Sequence, residues 1–331
     1  MYISLALGLF LLLVAGDLLV RGAAGLAARA GLSPLIIALT VVAIGTSMPE
    51  LVISVGAALR GSPDIAIGNV VGSNIANILL VLGLPAIIYP ITCKTAGLRL
   101  NTGIMIAATM LLIAFCFLGP LTRLEGFLLV GLLTGYLAWS AWDARKHPED
   151  LQAQTALAEE LMEEADHKLD EAGHPIHMAK SHIVAFILVG CVGLPIGAHL
   201  VVEGGTELAR LFGVPDAVIA LSLIAVGTSL PELATSLMAA FRKRHDLAIG
   251  NVIGSNIVNI LGILGITAFI LPLPVAPNFL TFDLWVMLGA ALIIVPTIWK
   301  RGSITRGTGA FFILAYGAYL FAIFHTGKGM I

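Results

Sequence analysis

The sequence predicts an all-α integral membrane protein whose ten transmembrane helices form two inverted five-helix repeats, with broken helices at a central site. Three observations predict it. Of 331 residues, 58% are hydrophobic and 11% charged, well short of the roughly 25–35% charge that keeps a surface in water; mean hydropathy is +0.99. The apolar residues fall in continuous runs of about 20, enough at about 1.5 Å per residue to cross a hydrocarbon core of ~30 Å. A stretch of 43 residues occurs twice, 182 positions apart.

The same composition excludes other classes. A net charge of −2 gives no footing for nucleic acid. Cys93, Cys116 and Cys191 form no CxxC pair or disulfide framework, so zinc and redox chemistry are not expected, nor any cofactor or obligate protein partner. The lipid bilayer is the expected surroundings. The 36 glycines weaken helices in water but let transmembrane helices approach closely.

Taken in order, the runs lie at residues 2–20, 33–59, 64–89, 100–118, 122–142, 183–209, 215–241, 246–271, 279–299 and 307–325. The first is read as a span and not a removed signal, since no basic segment precedes it and Asp17 and Arg21 follow without a small-residue cleavage pattern. Runs such as IMIAATMLLIAFCFLG are too long and continuous for the alternating strands of a membrane barrel. Cytoplasmic loops carry the excess of Lys and Arg. With both termini outside the cytoplasm, 14 of the 18 basic residues fall inside, leaving only Arg60, Arg123, Arg210 and Lys328 outside. A multi-pass protein of the cell membrane is expected.

The first repeat is assigned to 1–142 and the second to 182–331, joined by an acidic cytoplasmic loop at 143–181 that holds half of the 20 acidic residues. Charge runs are usually solvated faces, which makes this a linker. Leu151, Leu157, Leu161, Met162, Ala165 and Leu169 recur at near-helical spacing. The sharper reading is a cation-sensing segment using Glu159, Glu160, Glu163, Glu164 and His167, although no EF-hand spacing is present.

Residues 38–80 align without a gap to 220–262, with 26 of 43 positions identical. Five spans is an odd number, so the second copy crosses the membrane with opposite polarity. Inverted repeats of this kind mark secondary transporters, whose site lies at the midplane between the repeats and whose halves rock to give alternating access.

In GTSMPEL, Pro49 has no N–H and clashes with the preceding turn, and Gly45 relaxes the helix before it, so the helix should break here. Such a break is tolerated at membrane depth only where it is buried or lines a cavity. Freed carbonyls beside Thr46, Ser47 and the Glu50 carboxylate form a hard-oxygen cluster, the ligand type that suits Ca2+ and Na+. Thr228, Ser229, Pro231 and Glu232 repeat it. A glutamate in mid-span is costly and marks a functional site; the bland alternative is a neutral, hydrogen-bonded pair. GNVVGSNIANIL places Asn69, Ser73 and Asn77 on one helix face. Ser73 and Asn77 are taken as ligands, Asn69 and Asn74 as structural. Asn251, Ser255, Asn256 and Asn259 are the equivalents.

The paired GTSMPEL…GNVVGSNIANIL and GTSLPEL…GNVIGSNIVNIL resemble the two α-repeats of the sodium/calcium exchanger family, within the cation/Ca2+ antiporter superfamily, in its prokaryotic-type ten-helix form. The resemblance implies that Glu50 and Glu232 hold Ca2+, and that Thr46, Ser47, Thr228 and Ser229 share the Na+ and Ca2+ sites. It implies too that Ser73, Asn77, Ser255 and Asn259 complete them and that carbonyls near Ala43 and Ala225 coordinate Na+. The first and sixth helices are implied to slide as gates. Several relatives carry aspartate where this chain has Asn77 or Asn259, so the site here has two carboxylates, which neutralise one Ca2+ but under-compensate three Na+; asparagine also argues against K+ co-transport.

The main expectation is therefore an antiporter moving Na+ against Ca2+, with a cation/proton antiporter as the nearest alternative and a cation channel as a remote one. No nucleophile–base pair or HExxH site suggests an enzyme. Asp17, His199, Glu203 and Glu207 lie toward helix ends, where snorkelling or surface pairing competes with a role in ion conduction.

Overall fold

The computed structural model describes residues 2–146, 179–212 and 225–326. Almost all of that chain is helical: α1 (Tyr2–Ala30), α2 (Pro34–Thr46), α3 (Met48–Leu59), α4 (Pro63–Ile88), α5 (Leu98–Leu118), α6 (Arg123–Lys146), α7 (Lys180–Leu211), α8 (Leu230–Phe241), α9 (His245–Ile270), α10 (Phe279–Lys300) and α11 (Arg306–Thr326). Eight of these helices are long and apolar enough to cross a membrane, nine if the bent pair α2 and α3 is one span. The expected run at 215–241 is described from Ala225 onward, as a short turn Ala225–Thr228 followed by α8. Residues 215–224 of that run, residues 147–178 of the acidic loop with Glu159, Glu160, Glu163, Glu164 and His167, and Lys328 lie outside the described residues.

One boundary needs correction. α1 does not stop near residue 20 but continues to Ala30, because Arg21 is not a free interfacial charge. It pairs with Asp17 one turn back at 3.0 Å, and Gly22, Ala23, Ala24 and Ala27 on the same helix are buried. Gly31, at φ +61°, ends the helix, a conformation open to glycine without steric cost. Ser33 then starts α2, its Oγ accepting the Ile36 N–H at 3.3 Å with Pro34 in the first turn, the usual chemistry of a helix start.

α4 and α9 form the centre and are the most buried helices. The other helices surround them, leaving apolar side chains such as Leu118, Leu132 and Leu314 exposed as a lipid-facing surface requires. Two short pairings close the ends of the bundle. Ile91 and Thr92 pair antiparallel with Ile304 and Ser303, and Leu121 bridges Leu273. These ladders flank the two ends of α5, which at 21 residues is about 30 Å long.

α1 lies along α7 at very close range. A Cβ added to Gly8 would meet the Gly197 carbonyl oxygen at 2.9 Å, and one on Gly190 would meet the Ala15 carbonyl oxygen at 3.0 Å. Small residues permit that approach, and dispersion between the backbones holds it. This helix pair sits asymmetrically on the repeats. α1 packs against α8, with Gly16 against Ala234 and Met238, and the Asp17 carboxylate pairs with Arg242 at the end of α8. α7 has no comparable packing on α3, the counterpart of α8. Hence Ala234 is 6% exposed whereas its equivalent, Val52, is 67% exposed.

Candidate functional site

The site is built on two helix breaks and two crossing helices. Between α2 and α3 the chain bends by 44° at Ser47. Pro49, in the first turn of α3, cannot donate to the carbonyl four residues back, and the backbone at Ser47 leaves the helical region with ψ 5°. Ser229 takes the same conformation, ψ 3°, before Pro231. Each break places a Thr–Ser pair and, one turn on, a glutamate in the same small volume. Glu50 and Glu232 are both 0% exposed, and Thr46, Ser47, Thr228 and Ser229 are buried.

The facing walls come from α4 and α9, which present Ser73 and Asn77, and Ser255 and Asn259, all buried. At Asn77–Val81 and Val258–Leu264 the two helices loosen to π turns, as α2 does at Ala38–Val42. π turns frequently mark functional sites; nothing in the repeat pattern signals them.

Bonds across the repeats draw these residues together. Ser47 Oγ donates to Glu232 Oε1 at 3.2 Å, and Thr46 Oγ1 donates to Asn251 Oδ1 at 3.2 Å and lies 3.4 Å from Ser255 Oγ. Asn69 Nδ2 donates to the Glu50 carbonyl at 3.2 Å and to Ser54 at 3.0 Å, and Asn251 Nδ2 donates to Ser236 at 3.3 Å; both serve as ties, as expected for Asn69. The Ala43 carbonyl accepts from the Ser47 N–H at 3.1 Å and lies 3.4 Å from Thr46 Oγ1. Ala225 opens the turn before the second break.

What remains unbonded is as informative. Among the described residues ten buried side-chain N or O atoms lack a hydrogen-bond partner, and seven are oxygens of expected ligands: Glu50 Oε1 and Oε2, Glu232 Oε2, Ser73 Oγ, Ser229 Oγ, Asn77 Oδ1 and Asn259 Oδ1. A buried polar atom without a partner costs about 1–3 kcal/mol, and native structures keep few of them. These seven oxygens, three from carboxylates, two from hydroxyls and two from amides, are hard donors of the type that suits a hard cation. No group of three or more His, Cys, Asp or Glu converges among the described residues.

The chain matches the family model for the sodium/calcium exchanger protein over residues 1–142 and 182–325. This chain belongs to the sodium/calcium exchanger family. Among its relatives, the sodium/calcium exchanger MaX1 of Methanosarcina acetivorans is 34% identical over 98% of each chain. The inner membrane protein YrbG of Escherichia coli is 36% identical over 96% of this chain and 93% of its own. A solved structure of the sodium-calcium exchanger NCX_Mj soaked with zero Na+ and Ca2+ superposes with a TM-score of 0.78, at 31% identity and 97% coverage of both chains. Like other members of the sodium/calcium exchanger family, this chain is a membrane transporter and not an enzyme.

Reading the motifs alone missed one buried carboxylate of this exchanger. Asp283 is 0% exposed and accepts a hydrogen bond from Tyr319 at 3.0 Å. Its counterpart in the first half is Asn101, which accepts from Tyr136 at 2.8 Å. Carrying the repeat past residue 80 would have found it, because the offset of 182 still relates Asn101 to Asp283 and Met105 to Met287. Asp17, by contrast, is an ion-pairing residue, bound to Arg21 and Arg242.

Proposed function

We propose that the chain is a secondary antiporter exchanging Na+ for Ca2+ through one central site, exposed alternately to each side of the membrane. The observation that carries this reading is the set of seven unpartnered buried oxygens on the two breaks and on α4 and α9. Glu50 and Glu232 supply two negative charges, which match one Ca2+. Ser47, Thr46, Thr228, Ser229, Ser73, Ser255, Asn77 and Asn259 supply neutral oxygens, and the carbonyls near Ala43 and Ala225 serve Na+. Hydroxyls suit this task because a rotation turns a lone pair, instead of the proton, toward the ion. Coupling follows from sharing: the same carboxylates serve both ions, so one displaces the other.

The reading includes ten spans in two inverted five-helix repeats, 1–142 and 182–331, joined by a cytoplasmic loop at 143–181, with both termini outside. The repeat-related pairings Ile91–Ile304 and Leu121–Leu273 flank opposite ends of α5, as an operation that exchanges the two sides requires. The names of MaX1 and NCX_Mj, both sodium/calcium exchangers, support the ion pair.

Alternation is supported by asymmetry. Nearly identical breaks are covered differently, because α1 and α7 have settled as one unit on α8 and away from α3. Moved onto α3, the same unit would place Ala198 on Val52, the equivalents of Gly16 and Ala234, and would bring His199, the equivalent of Asp17, toward Arg60, the equivalent of Arg242.

The test is Ca2+ uptake into Na+-loaded proteoliposomes. Uptake should follow the imposed Na+ gradient and vanish in Glu50→Gln and Glu232→Gln. Uptake driven equally by a pH gradient would replace Na+ with H+, and uptake without any counter-gradient would mean a channel.

A further inference from the structure

Four asparagines are hydrogen-bonded in series across the repeats, Asn259 to Asn74, Asn74 to Asn256 and Asn256 to Asn77. Asn74 Nδ2 donates to the Asn256 carbonyl at 3.4 Å, and Asn256 Nδ2 donates to the Asn74 carbonyl at 3.4 Å. Asn259 Nδ2 donates to Asn74 Oδ1 at 3.1 Å, and Asn77 Nδ2 donates to Asn256 Oδ1 at 3.0 Å. The offset of 182 maps each bond onto another. Met287 and Met105 sulfurs, 3.8 and 3.5 Å from the Asn74 and Asn256 nitrogens, complete the surroundings.

The bonding order is dictated, because a backbone carbonyl can only accept. Each of Asn74 and Asn256 must therefore turn its NH2 toward the opposite carbonyl, which turns its Oδ1 the other way. That oxygen accepts only from the NH2 of Asn259 or Asn77. Those two amides, with nitrogens committed to Asn74 and Asn256, leave Oδ1 without a partner among the described residues. An unbraced amide could present either end to the site, and an NH2 repels a cation.

We infer that Asn74 and Asn256 are positioning residues that fix the ligand face of Asn259 and Asn77, so that both present oxygen and neither presents nitrogen to the transported cation. The inference rests on the reading of the central site as a cation site, but not on which cations are exchanged. It also links the halves, since each ligand amide is oriented by the other repeat.

A double-mutant cycle on purified, full-length protein tests it, with cation-induced thermal stabilisation and Ca2+ KM as readouts. Each of Ca2+ and Na+ is titrated separately, so that a failure of the Na+/Ca2+ assignment shows as a different effective ion and leaves the cycle readable. Asn259→Ala and Asn74→Ala should each raise the Ca2+ KM about tenfold with little change in maximal rate. The double variant should be no worse than Asn259→Ala alone, because Asn74 acts through Asn259. Effects that multiply, or an Asn74→Ala KM within twofold of wild type, would overturn the assignment. If Asn74→Ala does not fold, the repeat-related cycle of Asn256→Ala with Asn77→Ala reads the same coupling, with the same two outcomes deciding it.

Discussion

Gly254 lies beside the site and has no room for a methyl group. A Cβ built there would lie 2.6 Å from Leu39 Cα, 2.7 Å from the Leu39 carbonyl oxygen and 2.8 Å from Ala43 Cβ. Two of these atoms are backbone, so no rotamer change relieves the contact. Ordinary van der Waals contact begins near 3.4 Å, so Gly254→Ala must separate α9 from α2 by about 0.8 Å. Overpacking of this kind costs about 1–3 kcal/mol. The functional cost is larger, because Ser255 follows Gly254 and Thr46 lies one turn beyond Ala43, and metal–oxygen distances tolerate only about 0.2 Å. The variant should fold with a lowered Tm and lose at least tenfold in apparent Ca2+ affinity in proteoliposome uptake. Gly135→Ala and Gly317→Ala, where a Cβ meets nothing within 4 Å, are the controls and should match wild type. Unchanged affinity in Gly254→Ala would refute the claim that helix spacing here sets ligand spacing.

Gly126 approaches α9 even more closely, with a Cβ due 2.4 Å from the Phe269 nitrogen; Gly126→Ala should lower Tm as an overpacked crossing does, with little change in ion affinity, and a Tm equal to wild type would contradict the packing. Tyr319→Phe strips Asp283 of its hydroxyl donor and Tyr136→Phe strips Asn101 of its own. Thermal melts should show the first as the costlier, by up to about 1–3 kcal/mol, since a carboxyl left alone in apolar surroundings costs more than an amide that keeps its bond to the Gly97 carbonyl. Asp17→Asn cuts the tie between α1 and Arg242, worth about 1 kcal/mol for a partly exposed pair. In a background lacking Cys191, the cysteine pair Val52→Cys and Ala198→Cys should then cross-link several-fold faster than with Asp17 present, and no cross-link under any ion condition would count against the proposed exchange of contacts.

The geometry of the candidate site was legible wherever its chemistry is local. The Thr–Ser, Pro and Glu of each break follow one another within a single turn, and proline's missing N–H breaks the helix whatever surrounds it. Asn69 and Asn74 were readable as ties because spare amides beside hydroxyls at one-turn spacing have partners to find. Much else was not legible. Arg21 looked like the end of a span because a lone charge in an apolar run usually is one, and only the neighbouring Asp17 and the close face of α7 keep α1 helical to Ala30. The π turns at Ala38–Val42, Asn77–Val81 and Val258–Leu264 leave no composition signal. Asp283 escaped notice because the repeat was followed only while identity stayed high.

The sequence by itself determined the solvent of this protein, its helical class, its internal duplication and the residue types at its centre, because these follow from side-chain chemistry and spacing along one chain. Tertiary structure alone decided the rest: which oxygens stay unbonded, which way each of the four linked amides points, and on which repeat α1 and α7 rest. The two halves are close copies, so the sequence treats their contacts as nearly equivalent. One helix pair cannot pack fully against both halves at once, and the choice it makes in space breaks the equivalence.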